Sequence, residues 1–159
     1  MMKKETCQGI VILLIVVAML VGCAGGPVIM TSKDLPSLKG KWVGRTVFGS
    51  GEDTKTELEI YGETDPIEGK ITFMTLPRRI WDEIPPSIKG GPTGQGAAVP
   101  FNKGRLSDKG SFVLASGGNK LTLNLYSDGG KLKLVGDVLL ESSLEEKPYI
   151  QGEVSLAKK

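Results

Sequence analysis

Leu134-Val135-Gly136-Asp137-Val138-Leu139-Leu140 is one copy of a pattern that decides the fold. The pattern is an apolar residue, any residue, a glycine, a charged residue, an apolar residue, any residue, and an apolar residue or a glycine. Three further copies begin at Leu38, Ile67 and Ile150. Side chains alternate between the two faces of a strand, so each central glycine lies on the apolar face. Glycine kinks on an inner face allow a sheet to coil until it closes, and the pattern therefore favours a barrel over a flat sheet.

Apolar residues recur with a period of two from Gly40 onward, which is typical of β-strands. We predict eight strands on this basis, at 40–48, 55–61, 67–74, 99–107, 111–116, 120–126, 131–140 and 149–157. Short turns rich in Gly, Asp and Asn separate most of them, which predicts antiparallel neighbours. The expected fold class is all-β: an antiparallel, up-and-down, eight-stranded β-barrel over residues 38–159. A β-sandwich would show similar strands and is the alternative.

The first residues of the chain have the pattern of a secretion signal. Lys3 and Lys4 precede a run at 10–21 that has no polar side chain. As a helix, this run would be about 18 Å long, well short of the roughly 30 Å hydrocarbon core of a bilayer. Glycines and a proline at 22–27 interrupt any longer membrane helix. We therefore predict a signal peptide with a helical core over residues 1–22, and a flexible tether over residues 23–37.

Leu20-Val21-Gly22-Cys23 resembles the lipobox of bacterial lipoproteins, in which a Leu, a small or branched residue, and a Gly or Ala precede the Cys. The resemblance implies cleavage between Gly22 and Cys23, a diacylglyceryl thioether on Cys23, and an acyl chain such as palmitate on the new amine. Two or three acyl chains anchor a protein stably to a membrane. The expected location is the cell envelope. Because Ala24 follows Cys23 where a retention signal would place Asp, we expect the periplasmic face of the outer membrane if the organism has two membranes.

Leu38, Gly40 and Trp42 carry a second resemblance. Their spacing is similar to the first-strand signature of avidins, and Gly-x-Trp is similar to that of lipocalins. Both families are eight-stranded up-and-down barrels, and the resemblance implies that Trp42 fills the inner base of the barrel. No ligand-site residues of either family match positions in this chain, so the resemblance implies no particular ligand.

Composition and charge argue against several classes of function. The chain has 20 basic and 18 acidic residues and no His, and 18 basic and 17 acidic residues remain after residue 22. A nearly neutral chain without a basic stripe is not expected to bind nucleic acid. Without His, without a free thiol once Cys23 is lipidated, and without a recognised catalytic motif, we expect no catalytic residues, no metal site and no cofactor. A small hydrolase is the lowest-ranked hypothesis.

Residues 77–100 form the longest predicted loop, and it is rich in Pro and Gly. Its first half contains Arg78, Arg79 and Trp81, and Trp and Arg are common at binding hot spots. These three residues are the candidate contacts with a ligand or a partner. The other interpretation is a lid that packs Trp81 and Ile84 onto one end of the barrel. The glycines at 90–96 predict a flexible linker within this loop.

Two hypotheses for the function follow. The first is a membrane-anchored, non-enzymatic binding module that holds a small apolar ligand or an envelope component at an open barrel end. It predicts an interior or mouth cavity of at least about 300 Å³. The alternative is a structural or interaction lipoprotein with a solid core, which docks a protein partner in the cell envelope through Trp81 and the arginines.

Overall fold

The computed structural model describes residues 26–49, 51–64 and 66–159. The predicted signal peptide, the cleavage position and Cys23 lie outside the described residues. The strands are β1 (Pro27–Val28), β2 (Gly40–Phe48), β3 (Asp53–Tyr61), β4 (Ile67–Phe73), β5 (Ala97–Leu106), β6 (Phe112–Ser116), β7 (Asn119–Asp128), β8 (Lys131–Leu144) and β9 (Lys147–Lys158). The short α-helices are α1 (Leu35–Leu38) and α2 (Arg78–Glu83), and 3₁₀ turns occur at Ser32–Asp34 and Pro86–Ile88.

Strands β2 to β9 form one closed antiparallel sheet. Each strand pairs with its neighbours in sequence, and β2 pairs with β9 to complete the ring, with Thr46 opposite Val154. The predicted all-β, up-and-down, eight-stranded barrel is thereby confirmed, and the alternative of two packed sheets is not the fold. The predicted strands are all present, with bounds that differ by a few residues.

Strand β1 is an additional strand outside the ring. Pro27 pairs with Tyr126 and Val28 with Leu125, both on β7. Because β6 pairs with residues 119–123 of β7, β1 continues the line of β6 along the same edge. A strand of two residues has no measurable periodicity, so no sequence pattern predicts it.

The repeated glycines allow close approach of strands on the inner face. A Cβ atom at Gly136 of β8 would overlap the carbonyl oxygen of Thr122 on β7. At Gly152 of β9, a Cβ would lie 2.9 Å from the Cγ2 of Thr46 and 3.0 Å from the ring of Phe48. Only glycine fits without displacement at such positions, which agrees with the coiling expected from the pattern.

Side chains fill the interior of the barrel. Inward-facing residues from every barrel strand are buried, and many have no accessible area at all, among them Trp42, Leu58, Ile71, Phe73, Ala97, Phe112, Leu114, Leu121, Leu123, Leu134, Val138 and Leu140 at 0 %. A hollow that could hold a water molecule would leave accessible area on the side chains that line it. The polar groups inside are paired: the hydroxyls of Thr46 and Thr56 lie 2.8 Å apart in a hydrogen bond. The barrel is therefore a solid core.

Residues 30–38, which we call the plug, close one end of the barrel. The backbone N–H of Met30 donates to the carbonyl of Gly110 (3.1 Å) in the turn between β5 and β6. Met30 and Leu38 are buried, and the indole N–H of Trp42 donates to the carbonyl of Leu38 (2.8 Å). The sequence predicted a flexible tether up to residue 37. In the structure the chain is instead held from Pro27 onward, because these apolar side chains are buried against the barrel.

Residues 74–96, which we call the lid, close the other end. The lid contains α2 and a 3₁₀ turn, and it buries Leu76, Ile80, Ile84 and Ile88 against the core. The predicted long loop is thus partly helical, and β5 already begins at Ala97. The predicted linker at 90–96 is hydrogen-bonded, since the N–H of Gly90 donates to the carbonyl of Gly96 (3.0 Å). Burial of one apolar face explains why a Pro- and Gly-rich segment takes up a fixed position.

Candidate functional site

The lid is fixed to the barrel through Glu83, the last residue of α2. One carboxylate oxygen of Glu83 accepts a hydrogen bond from the Lys147 ammonium (2.7 Å), and the other accepts one from the Arg79 guanidinium (3.2 Å). The hydroxyl of Ser143 donates to the Glu83 carbonyl (2.8 Å). Lys147 and Ser143 belong to the β8–β9 hairpin, so this cluster joins the lid to the longest hairpin of the barrel.

Glu83 is 8 % exposed, although it carries a charge. The hydrogen bond from Lys147, helped by that from Arg79, holds the pKa of the Glu83 carboxyl below its usual value, while burial opposes this shift. The carboxylate is therefore ionised and fully occupied by its partners. A group held in this way is suited to positioning the lid.

A groove of 410 Å³ lies beside this cluster, between α2 and the hairpin. Arg79 and Lys147 form its charged wall, and Ile80 and Ile150 contribute apolar surface. Tyr149 borders it with 47 % of its surface exposed. The groove is partly open to solvent. Its lining combines exposed aromatic surface with cations, which suits a protein segment better than an enclosed apolar molecule.

The three sequence candidates on the lid have different surroundings. Arg79 lines the groove and binds Glu83. The Arg78 side chain is 82 % exposed, and its guanidinium lies 3.6 Å from the Asp82 carboxylate. Trp81 is half-buried against the core, and the Lys89 ammonium lies 5.0 Å from the centre of its ring. Arg78 and Arg79 therefore reach solvent at this end, whereas Trp81 mainly packs the lid.

Sequence reasoning missed Lys147, Tyr149 and the role of Glu83. Lys147 is 64 residues from Glu83 along the chain. The contact depends on closure of the barrel, which brings the β8–β9 hairpin under the lid. A local signal did exist in the sequence, since Arg79 and Glu83 are spaced for an i,i+4 ion pair on a helix.

Replacing Glu83 with glutamine is expected to lower the free energy of unfolding by about 1 kcal/mol at neutral pH. This loss of stability is modest because the side chains that pair with Glu83 reach water: Arg79 is 64 % exposed and Lys147 is 44 % exposed. The pKa of Glu83 is lower in the folded chain than in the unfolded one. The contribution is thus complete above the unfolded value of about 4.3 and is lost as the pH falls through the folded-state pKa. Urea unfolding at neutral and acidic pH measures the difference.

Glu146→Gln is the matched control for this prediction, because Glu146 is exposed on the same hairpin and forms no ion pair within the described ranges. Its effect should stay within about 0.5 kcal/mol at both pH values. A loss in Glu83→Gln that persisted unchanged at acidic pH would contradict the assigned ion pairs.

In the described part of the chain, no group of three or more Cys, Asp or Glu side chains is arranged to hold a metal ion. The same residues contain no helix of the length and hydropathy that a membrane crossing requires. When the chain is compared with protein-family models, curated proteins and solved structures, none of them matches it.

Proposed function

We propose that this chain is a lipid-anchored protein of the cell envelope that docks a protein partner at the lid end of a solid barrel. The observation that carries this proposal is the filled interior, since inward-facing side chains of the barrel have no accessible area. The lipid anchor on Cys23 rests on the Leu20-Val21-Gly22-Cys23 motif. Under this proposal the chain acts by contact and carries no cargo.

The filled interior counts against the carrier hypothesis. A barrel that holds a small apolar molecule needs an enclosed apolar space of several hundred cubic ångströms. The groove at the lid reaches 410 Å³, but it is open and has Arg79 and Lys147 in its wall. A small apolar ligand there would stay in contact with water and with two charged groups, which removes most of the gain from burying it.

The surface at the lid end is suited to a protein partner. Tyr149 is 47 % exposed beside the groove, and the Arg78 side chain is 82 % exposed on the neighbouring helix. Tyr and Arg are enriched among residues that dominate binding energy at protein interfaces. Because the chain enters the barrel at the plug end, this surface lies at the end away from the anchor, where a partner can reach it.

Native mass spectrometry of the full chain, extracted from membranes in mild detergent, tests this proposal. We expect a chain that begins at Cys23 and carries acyl chains, part of it in a stoichiometric complex with one protein and none of it with an additional small apolar molecule. The double variant Arg78→Ala/Tyr149→Ala should reduce the complexed fraction at least tenfold. Truncating an interface residue of this kind weakens binding by about 1–2 kcal/mol or more.

Arg45→Ala with Tyr61→Ala is the matched control for the partner surface. Tyr61 is 40 % exposed and Arg45 is exposed on β2, and neither borders the groove at the lid. This variant should keep the complex intact. A co-purified apolar molecule would contradict the solid-barrel proposal, and equal loss in both variants would contradict the lid as the docking surface.

A further inference from the structure

A cationic wall lies on the outer side of β5, β6 and β7. Lys103 of β5 pairs in register with Ala115 of β6, which pairs with Lys120 of β7, and Arg105 is opposite Val113. Together they line a shallow depression of 580 Å³. We call these five residues the cationic wall. Three basic side chains thus surround two small apolar ones.

In the part of the chain that the structure describes, the basic residues of the cationic wall have no acidic partner. Several other cations of the barrel lie against carboxylates, as Arg45 does with Asp53 at 2.7 Å. Within the described ranges, Lys103, Arg105 and Lys120 form no ion pair. Acidic residues are present on the adjacent strands β4 and β8, at Glu68 and Asp137, but neither lies within ion-pair distance of the wall. Clustered positive charge without internal compensation favours an anionic partner.

The described chain begins beside the C-terminal end of β7, in line with β6 and about 20 Å along β7 from Lys120 of the wall. Pro27 of β1 is paired to Tyr126 of β7, one of the strands that form the wall. Three residues lie between Cys23 and Pro27, so a fully extended chain of four residue steps spans at most about 14 Å between them. A lipid on Cys23 would therefore hold the membrane surface close to β7.

Exposed apolar residues lie between the N-terminal end and the wall. Ile29 is 76 % exposed and Val28 is 37 % exposed. Ile29 packs beside Gly110 in the turn that joins β5 to β6, and Lys109 precedes this glycine. Exposed apolar side chains with a lysine nearby are suited to the boundary between lipid headgroups and acyl chains.

We infer that the cationic wall docks on the anionic headgroups of the membrane that holds the Cys23 lipid, so that the barrel lies with β5–β7 toward the bilayer. The inference rests on the proposed lipid anchor and adds the orientation of the domain. A membrane is favoured over an acidic protein segment because the short connection from β1 to Cys23 holds β7, a strand of the wall, near the bilayer. The contacts are between Lys or Arg side chains and phosphate groups, and they leave the lid end free for a partner.

Headgroup quenching of a fluorophore tests this orientation. The full lipidated chain is labelled at Thr122→Cys, opposite Val113 of the wall, or at Ser155→Cys, on the exposed side of β9, three strands round the barrel from β6. Each is reconstituted into vesicles of phosphatidylcholine and phosphatidylglycerol that carry a headgroup quencher. We expect strong quenching at position 122 and little at 155, and loss of the difference in pure phosphatidylcholine or at high salt.

Neutralising the wall should release the barrel from the surface. Each basic residue near an anionic membrane contributes about fivefold, so Lys103→Gln, Arg105→Gln and Lys120→Gln together should lower the ratio of docked to undocked chains about a hundredfold. The matched control, Lys55→Gln, Lys70→Gln and Lys159→Gln, removes the same charge from exposed sites outside the depression and should keep the quenching difference.

The two proposals fail in different ways in this experiment. Flotation with the vesicles but equal quenching at positions 122 and 155 would overturn the docking of the wall and leave the anchor intact. Failure to float would overturn the anchor and, with it, the orientation. Binding of soluble polyglutamate by the wall, without a quenching difference on vesicles, would overturn the membrane as its partner in favour of an acidic protein segment.

Discussion

Replacing Trp42 with alanine is expected to lower the free energy of unfolding by about 3–5 kcal/mol. Trp42 is 0 % exposed and lies where the plug meets the inner face of β2. Its indole N–H donates to the carbonyl of Leu38 (2.8 Å), and the Lys158 ammonium lies 5.5 Å from the centre of its ring. Alanine would leave a large cavity and a buried carbonyl without its donor, and both effects are destabilising.

Trp42→Phe separates these two effects. Phenylalanine keeps most of the apolar volume but cannot donate to the Leu38 carbonyl, so we expect a loss of about 1–2 kcal/mol. Urea unfolding followed by circular dichroism measures both variants without relying on tryptophan fluorescence. Because small domains are stable by only about 5–15 kcal/mol, the alanine variant should unfold at a much lower urea concentration. A shift of less than about 1 kcal/mol would show that the plug does not depend on Trp42.

The strands of this barrel could be predicted because their signal is local. Leu121, Leu123 and Leu125 alternate with polar residues along β7, and burial follows the alternation. The glycine pattern also carried information about closure, since Gly69 and Gly152 are buried on the inner face. Gly40 belongs to the same pattern for another reason: its φ is +114°, a backbone conformation suited to the turn that leads from the plug into β2.

The ends of the barrel could not be predicted in the same way. Met30 has no periodic neighbours, and Gly and Pro nearby made the segment before residue 38 resemble a tether. The contact between Glu83 and Lys147 forms only when the sheet closes, because the two residues are 64 positions apart. Whether the interior is filled also depends on packing between residues that are far apart in the chain. Strand patterns do not show this packing, although it is the feature on which the interaction and carrier hypotheses differ.

Gly136→Ala is expected to lower the free energy of unfolding by about 3 kcal/mol, because a Cβ at this position would overlap the Thr122 carbonyl oxygen and lie 3.0 Å from the Cα of Leu123. Both contacts are with the backbone of β7, which is held between β6 and β8 and cannot move aside as a side chain can.

Gly152→Ala should lower the free energy of unfolding by less, since its new Cβ would meet the side chains of Thr46 and Phe48. Gly94→Ala, with open space around it, should stay within about 0.5 kcal/mol. Thermal or urea unfolding should therefore rank the losses in the order 136, 152, 94. Equal stability at positions 136 and 94 would mean that tight coiling of β8 against β7 is not what closes this sheet around a filled core.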